Sequence, residues 1–451
     1  MRNRRKKHNS GRALIVFTRE PVPGLTKTRL MPYMSADECA ALHKCFLRDI
    51  RRQLLRTDAD ILVFYEGDDP VFLRKLWGRK TPMIRQSGEG LGERMRRAVD
   101  CVFGMGYTEA VLIGTDLPEM KADCIGKAFD LIGDHDVVLG PTWDGGYYLI
   151  GMRRMHPEAF ANHSYGGADV LEATVNGLKQ AGLSVALTDP CRDIDVPEDI
   201  ASYRRRMRAD RRLRRSHTGR FLAESAKISV IIPVYNEEKQ VRSIMRQLGT
   251  ADGRTEVIFV DGGSTDGTAA LIEKRFPVTV TGKGRGRQLN EGAVKSSGDI
   301  LFFLHCDSRL PSGFADEIRR VMARCGWGCF GVRFPSRNFF MLTNRIISNF
   351  RAFCRRIPFG DQGIFIDREL FFETGMFPEI PIMEDYAFSL KLKERGIRPG
   401  VTRRRITTSI RRYGEGTQGI LKTEWSMYRM RRRFRRGEDV NALAEIYGDI
   451  R

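Results

Sequence analysis

No stretch of this chain approaches the roughly 18 consecutive apolar residues that a membrane-spanning helix needs, so no such helix is expected. Its nine cysteines include no C-x-x-C pair. Cys325 and Cys329 lie four apart, with no His or further Cys close by to complete a zinc site. Reduced thiols of a cytoplasmic protein are the reading that remains. A Walker-type loop, G-x-x-x-x-G-K followed by Ser or Thr, is missing. The basic start, Met1–Lys7, leads into a strand-like run at 13–17, which is shorter than the apolar core of a secretory signal.

What is present describes a globular protein, with 41% hydrophobic and 29% charged residues. A length of 451 residues exceeds one typical core and suits two domains. The net charge of +20 collects in runs at 4–7, 204–215, 403–405 and 429–436. Such runs suit nucleic acid, an anionic membrane face or a solvated helix surface. The aromatic residues that interleave with cations in single-strand binders are missing from them, so no specific nucleic-acid partner is expected. Peripheral contact with the inner membrane face stays open.

Two segments repeat one pattern: A-V-L-I-G-T-D-L-P at 110–118 and I-L-F-F-L-H-C-D-S at 300–308. Each is a short apolar run with a carboxylate past its end, as in a strand buried on both faces. Ligands of α/β sheets gather outside the carboxyl ends of the strands, where Asp116 and Asp307 can hold a divalent cation against phosphate. Strand-like runs continue at 61–65, 136–141, 147–152 and 184–188, and again at 228–235, 256–261 and 278–281. Helical patterns lie between them, including 35–55, which opens with a Ser35-x-x-Glu38 capping box. This alternation predicts two tandem, doubly wound α/β domains with parallel sheets, at 1–203 and 227–451. The Arg-dense segment 204–226 reads as a basic helix and linker.

In the second half, I-S-V-I-I-P-V-Y-N-E-E (228–238) is followed by V-I-F-V-D-G-G-S-T-D-G-T (257–268). Asp261 ends a strand, where its carboxylate can accept from a nucleobase or ribose, and Gly262-Gly263 lets the backbone turn beside it. Then come G-R-G-R-Q-L-N-E-G-A (284–293), His305-Cys306-Asp307, Gly360-Asp361-Gln362-Gly363 and Met383-Glu384-Asp385. Over about 228–447 this order resembles the family 2 glycosyltransferases of the GT-A fold, and most of all a subgroup of small transferases with D-G-G-S. The resemblance implies a nucleotide-sugar donor held by Pro233, Tyr235, Glu237, Asp261, Arg285, Arg287 and Asp307. It further implies Mg²⁺ or Mn²⁺ on Asp307, with His305 standing where the family usually has a first acid. Asp361 and Gln362 fall on the acceptor side. Asp385 is expected as the general base of an inverting transfer, beside Glu384. Its alternative reading is a helix-start carboxylate. Arg411-Arg412-Tyr413, 419–423 and Trp425 resemble the subgroup's C-terminal stretch. The pattern at 339–353 suits an acceptor groove, a membrane-surface helix or plain core packing.

In the first half, A-L-I-V-F-T-R-E-P-V-P-G-L-T-K-T-R-L (13–30) runs from a strand into a loop carrying Lys27 and Arg29, which suits phosphate. With G-L-G-E-R (90–94), G-T-D-L-P (114–118), W-D-G-G-Y (143–147) and D-I-D-V-P-E-D (193–199), it resembles the DUF2064 family, often called transferase 1, which is related to guanylyltransferases. That resemblance implies Mg²⁺ on Asp116 and Asp195, phosphate on Lys27 and Arg29, and substrate on Asp144. The alternatives are a helix cap for Asp195 and a tight turn for Asp144.

Two functional readings follow. One is a bifunctional enzyme, in which a hexosyltransferase-like glycosyltransferase acting on a hydroxyl acceptor (a lipid or small metabolite) is fused to a nucleotidyl- or glycosyl-transferase. The other is a single glycosyltransferase carrying an N-terminal nucleotide-binding or docking module.

Overall fold

The structure, a computed structural model, describes residues 11–161, 167, 169–336, 338–410, 413 and 416–448. The basic start Met1–Lys7 and the pair Arg411-Arg412 lie outside the described residues. The chain divides into two compact units, Met1–Arg206 with Arg215–Leu222, and Met207–Arg214 with Ala223–Arg451.

The first unit holds strands β1 (Arg12–Arg19), β2 (Asp60–Glu66), β3 (Met83–Arg85), β4 (Glu109–Ile113), β5 (Val137–Pro141), β6 (Tyr147–Met152) and β7 (Val185–Leu187). The second holds β8 (Ile228–Val234), β9 (Thr255–Asp261), β10 (Val278–Val280), β11 (Ile300–Phe303), β12 (Trp327–Arg333), β13 (Ile364–Asp367) and β14 (Gly400–Thr407). Their sheets run β3-β2-β1-β4-β6-β5-β7 and β10-β9-β8-β11-β13-β12-β14, one order used twice. The expected doubly wound α/β units are present, with one correction. β6 and β13 run antiparallel to both of their neighbours, so each sheet is mixed rather than parallel.

Alternation along the central strands explains the layering. In β1, Leu14 and Val16 join one apolar core while Ala13, Ile15 and Phe17 join the core on the opposite face. In β8, Ile228, Val230, Ile232 and Val234 face one core and Ile231 the other. A strand buried on both faces has to be apolar at nearly every position, which is why these runs were legible. Ser35 caps the helix Ala36–Leu54, and Glu38 reciprocates to complete the capping box.

Much of the positive charge is used inside each unit. Arg206 pairs with Glu119, Arg204 donates to Leu222 O and the Tyr33 hydroxyl, and Arg208 pairs with Asp367. The run 403–405 is not a helix surface. It is the exposed stretch of β14, an edge strand whose charges discourage pairing with another chain.

Candidate active sites

Strand order reverses between β1 and β4 and again between β8 and β11, and sheets of this kind open a crevice at such a point. The candidate residues follow the carboxyl ends of these strands.

In the second unit, the loops after β8 and β9 are stitched together. Asn236 N donates to Ser264 Oγ (2.9 Å), and Thr265 N donates to Asn236 Oδ1 (2.8 Å). Pro233 lies within β8, Glu237 N donates to Thr268 Oγ1 (2.9 Å), and Tyr235 stacks under the Lys283 ammonium at 4.4 Å. Asp261, expected to reach for a base or ribose, is 2% exposed, and both of its oxygens accept from Ser264. It therefore shapes its loop, because a carboxylate this buried settles on the donors beside it. Gln288 was not anticipated. Its buried amide donates to Val234 O (2.9 Å) and Val260 O (2.8 Å), clamping the ends of β8 and β9.

Arg285 opens the helix Arg285–Lys295 and forms an ion pair with Glu384, while exposed Arg287 lies against Gly282. Asp385 accepts from Gly360 N (2.6 Å) and Tyr386 N (2.7 Å). His305 Nε2 and Asp385 Oδ2 converge on Gly360, 3.0 and 3.1 Å from where a Cβ would stand, so a side chain there would press on both. The two adjacent carboxyls are driven apart in pKa. Burial raises Asp385, but Arg285, the Gly360 amide and His305 outweigh it and hold Asp385 below the usual aspartate value of 3.8. Burial raises Glu384 above its usual 4.5, despite Arg285, and the Asp385 charge adds to that rise. Opposite shifts in neighbouring acids separate their states: Asp385 is held as the carboxylate, while Glu384 pairs with Arg285.

Asp307, half-buried, sits in the turn closed by Ser308 N on His305 O (3.2 Å) past β11. Among the described residues no three His, Cys, Asp or Glu side chains converge as a metal cage. A single carboxylate still suits Mg²⁺ or Mn²⁺, which keeps water and takes its other ligands from substrate phosphates. Asp361 and Gln362 were both expected on the acceptor side. Asp361 stands in the loop beside Asp385. Gln362 is a correction: it is fully buried, and its amide is used by Arg351 (3.3 Å), Phe359 N (3.3 Å) and Phe330 O (3.4 Å). It holds the loop and cannot touch an acceptor.

In the first unit a cavity of about 400 Å³ lies at the end of β1 and β4, lined by Arg19, Arg29, Arg94, His43, Thr115 and Asp116 among others. The expected division, with cations on phosphate and carboxylates on metal, is corrected here. Lys27 Nζ lies 2.8 Å from Asp116 and 3.2 Å from Asp195, and it donates to Ile194 O at 2.7 Å. Arg29 lies 3.0 Å from Asp195. The Lys27 ammonium takes the place between the two acids that a divalent ion would need, so the pair does not fit a metal while Lys27 lies there. His43, unmentioned by any sequence motif, is buried between Thr26 (2.8 Å) and Thr115 (3.4 Å). Burial pushes its pKa down to about 4.

Asp144 accepts from Thr142 (2.5 Å) and Gly146 N (3.2 Å), which is the tight turn between β5 and β6. It also lines a second cavity of about 260 Å³ with Arg192 and Asp193. There burial and the Asp144 charge push the Asp193 carboxyl up to about 6.

Two mixed α/β sheets of one repeated order, each with acids and arginines at its reversal point, define a tandem pair of units of one fold. Residues 49–167 match the model of an uncharacterized protein family conserved in bacteria, DUF2064, and residues 229–372 match glycosyl transferase family 2. The chain is a fusion of a DUF2064-type domain with a family 2 glycosyltransferase domain. Undecaprenyl-phosphate 4-deoxy-4-formamido-L-arabinose transferase of Salmonella choleraesuis is 29% identical over 115 residues, 23% of this chain and 34% of that protein. The 2-phospho-L-lactate guanylyltransferase of Methanocaldococcus fervens is 26% identical over 136 residues, 30% of this chain and 59% of that protein. The chain thus spans between a third and three fifths of these relatives. A crystal structure from Desulfovibrio desulfuricans G20, provisionally named a nucleotide-diphospho-sugar transferase, is 33% identical with a TM-score of 0.45, covering 48% of this chain and 95% of that one.

Proposed function

We propose that the C-terminal unit transfers a sugar from a nucleotide donor to an acceptor hydroxyl with inversion at the sugar carbon. The observation that carries this reading is the Asp385 carboxylate, kept ionised by two backbone amides and Arg285. In this reading, Asp385 Oδ2 takes the acceptor proton as the hydroxyl oxygen attacks. The bond to the nucleoside diphosphate breaks on the opposite face. Arg285, fixed by Glu384, and the amino end of its helix face the charge that develops on the leaving group. Tyr235 offers a ring for the base. Asp307 would hold Mg²⁺ or Mn²⁺, which when bound supplies Lewis-acid neutralisation of the diphosphate.

For the N-terminal unit we propose a phosphate-bearing nucleotide ligand in the larger cavity, facing Arg19, Arg29 and Arg94. A nucleotidyl- or glycosyl-transfer role needs Lys27 to leave its acids. A binding module does not, and the ion pairs Lys27 makes favour that second reading.

Calorimetric titration of the full chain with UDP or GDP plus Mn²⁺ tests the donor site. Asp307→Ala is expected to weaken the C-terminal binding event about tenfold or more, and Asp385→Asn to leave it intact. Unchanged binding by the Asp307 variant overturns the proposed donor site.

A further inference from the structure

The helix Phe339–Cys354 is inside out. Its large apolar side chains Phe339, Leu342, Ile346, Phe350 and Phe353 fall three and four residues apart on one face, and that face is exposed, Phe339 and Phe353 by 73% each. The face turned inward carries Met341, Asn344, Ser348 and Ala352. Hydrogen bonds lock this orientation. Asn344 Nδ2 donates to Tyr413 Oη (2.8 Å) and Glu424 Oε1 (2.5 Å), Ser348 donates to Asn344 Oδ1 (3.2 Å), and Val332 N donates to Asn349 Oδ1 (2.8 Å). Rolling the helix to hide its phenylalanines would break the bonds to Tyr413, Glu424 and Val332. The Asn344–Glu424 bond joins it to the helix Gly416–Arg435, which exposes Leu421, Trp425 and Tyr428, again four and three apart, with the two rings stacked. An apolar face of this size signals a partner.

Charge identifies which partner. The two helices carry eight Lys or Arg, of which Arg351 turns inward, Arg433 pairs with Glu438, and Lys422, Arg429, Arg432 and Arg435 are exposed. Their one acidic residue, Glu424, is already engaged by Asn344. A second copy of the chain would bring the same positive face against it. An anionic bilayer supplies the opposite sign, together with a hydrocarbon boundary that takes Phe, Ile and Leu and an interfacial zone that takes Trp, Tyr and Arg.

We propose that these two helices dock the C-terminal unit on an anionic lipid surface, lying in its plane. The Phe339–Cys354 helix is tied to the loop beside Asp385 through Arg351 and Gln362 (3.3 Å). Docking therefore brings that loop to the bilayer. Resting on the glycosyl-transfer reading, this makes the acceptor a hydroxyl carried by the membrane.

Co-sedimentation of the full chain with phosphatidylglycerol vesicles and with phosphatidylcholine vesicles tests it. Binding about tenfold or more tighter to the anionic vesicles is expected, weakening with salt and shifting Trp425 emission to the blue. The triple variant Phe339→Ser, Ile346→Ser, Phe353→Ser, polar at already exposed positions, should lose that binding while its melting and its UDP or GDP titration stay as in the parent. Absent or equal binding to the two vesicles, or full binding by the variant, overturns the proposal. So does a dimer in light scattering that the variant dissolves. Because vesicle binding is read without turnover, its failure is separable from failure of the sugar-transfer reading.

Discussion

Asp385→Asn is expected to lower kcat for glycosyl transfer by about 10²–10⁴-fold, the usual contribution of a positioned general base. The substitution keeps the side chain's size and one oxygen, enough for the Gly360 amide held by Oδ2, so the loop contact should persist. The Tyr386 amide held by Oδ1 loses its side-chain acceptor at the start of its helix. Donor KM should change little, because the proposed donor contact is made by Arg285, which Glu384 holds. The pH profile gives a second readout. A base held below 3.8 is lost only when pH falls through its lowered pKa, so the parent should show no acidic limb from Asp385 in the ordinary carboxylate range or above. Steady-state rates of parent and variant check both points. A variant with parental kcat removes Asp385 as the base.

The second large effect is on stability. His43 is neutral and almost fully buried in the fold, with a pKa near 4 against 6.5 when exposed. As pH falls from 6.5 the unfolded chain takes up the proton first, so folding stability is complete above 6.5 and declines toward 4. The loss from this one group is about 3 kcal/mol, at 1.36 kcal/mol per pKa unit. Carboxylates protonate over part of the same range, so the comparison with His43→Gln isolates it; Gln can still bridge Thr26 and Thr115. The unfolding free energy of the first unit, from urea titrations at pH 7 and pH 4, should fall further in the parent than in the variant by about 2–3 kcal/mol. Equal falls would show that His43 titrates normally.

Legibility in the sequence followed burial. The central strands β1, β4, β8 and β11 are apolar at nearly every position because both faces are covered, and the Ser35–Glu38 box is a local signal. β3 and β13 are three and four residues long, β12 carries two glycines, and β14 has three arginines at its centre, so none shows a clear period. Gly328 exists because Gly400 O would lie 2.4 Å from a Cβ there, a demand made by a neighbouring strand and invisible locally. The reversed direction of β6 and β13 is likewise a matter of pairing rather than pattern. At the sites, the Glu384-Asp385 pair and Asp307 could be read from short motifs. The Lys27 ion pair with Asp195 joins residues 168 positions apart, and Gln288 and His43 act through loops or helices that only the fold brings together.

The central claim is that the C-terminal unit turns over a nucleotide-sugar using Asp385. Its most direct test is a turnover measurement on the purified chain with anionic vesicles, Mn²⁺ and a panel of UDP- and GDP-sugars, read as release of the nucleoside diphosphate, with the Asp385→Asn chain alongside. The account expects at least one donor to be consumed by the parent and spared by the variant. Equal release of diphosphate from that donor by both chains would contradict it.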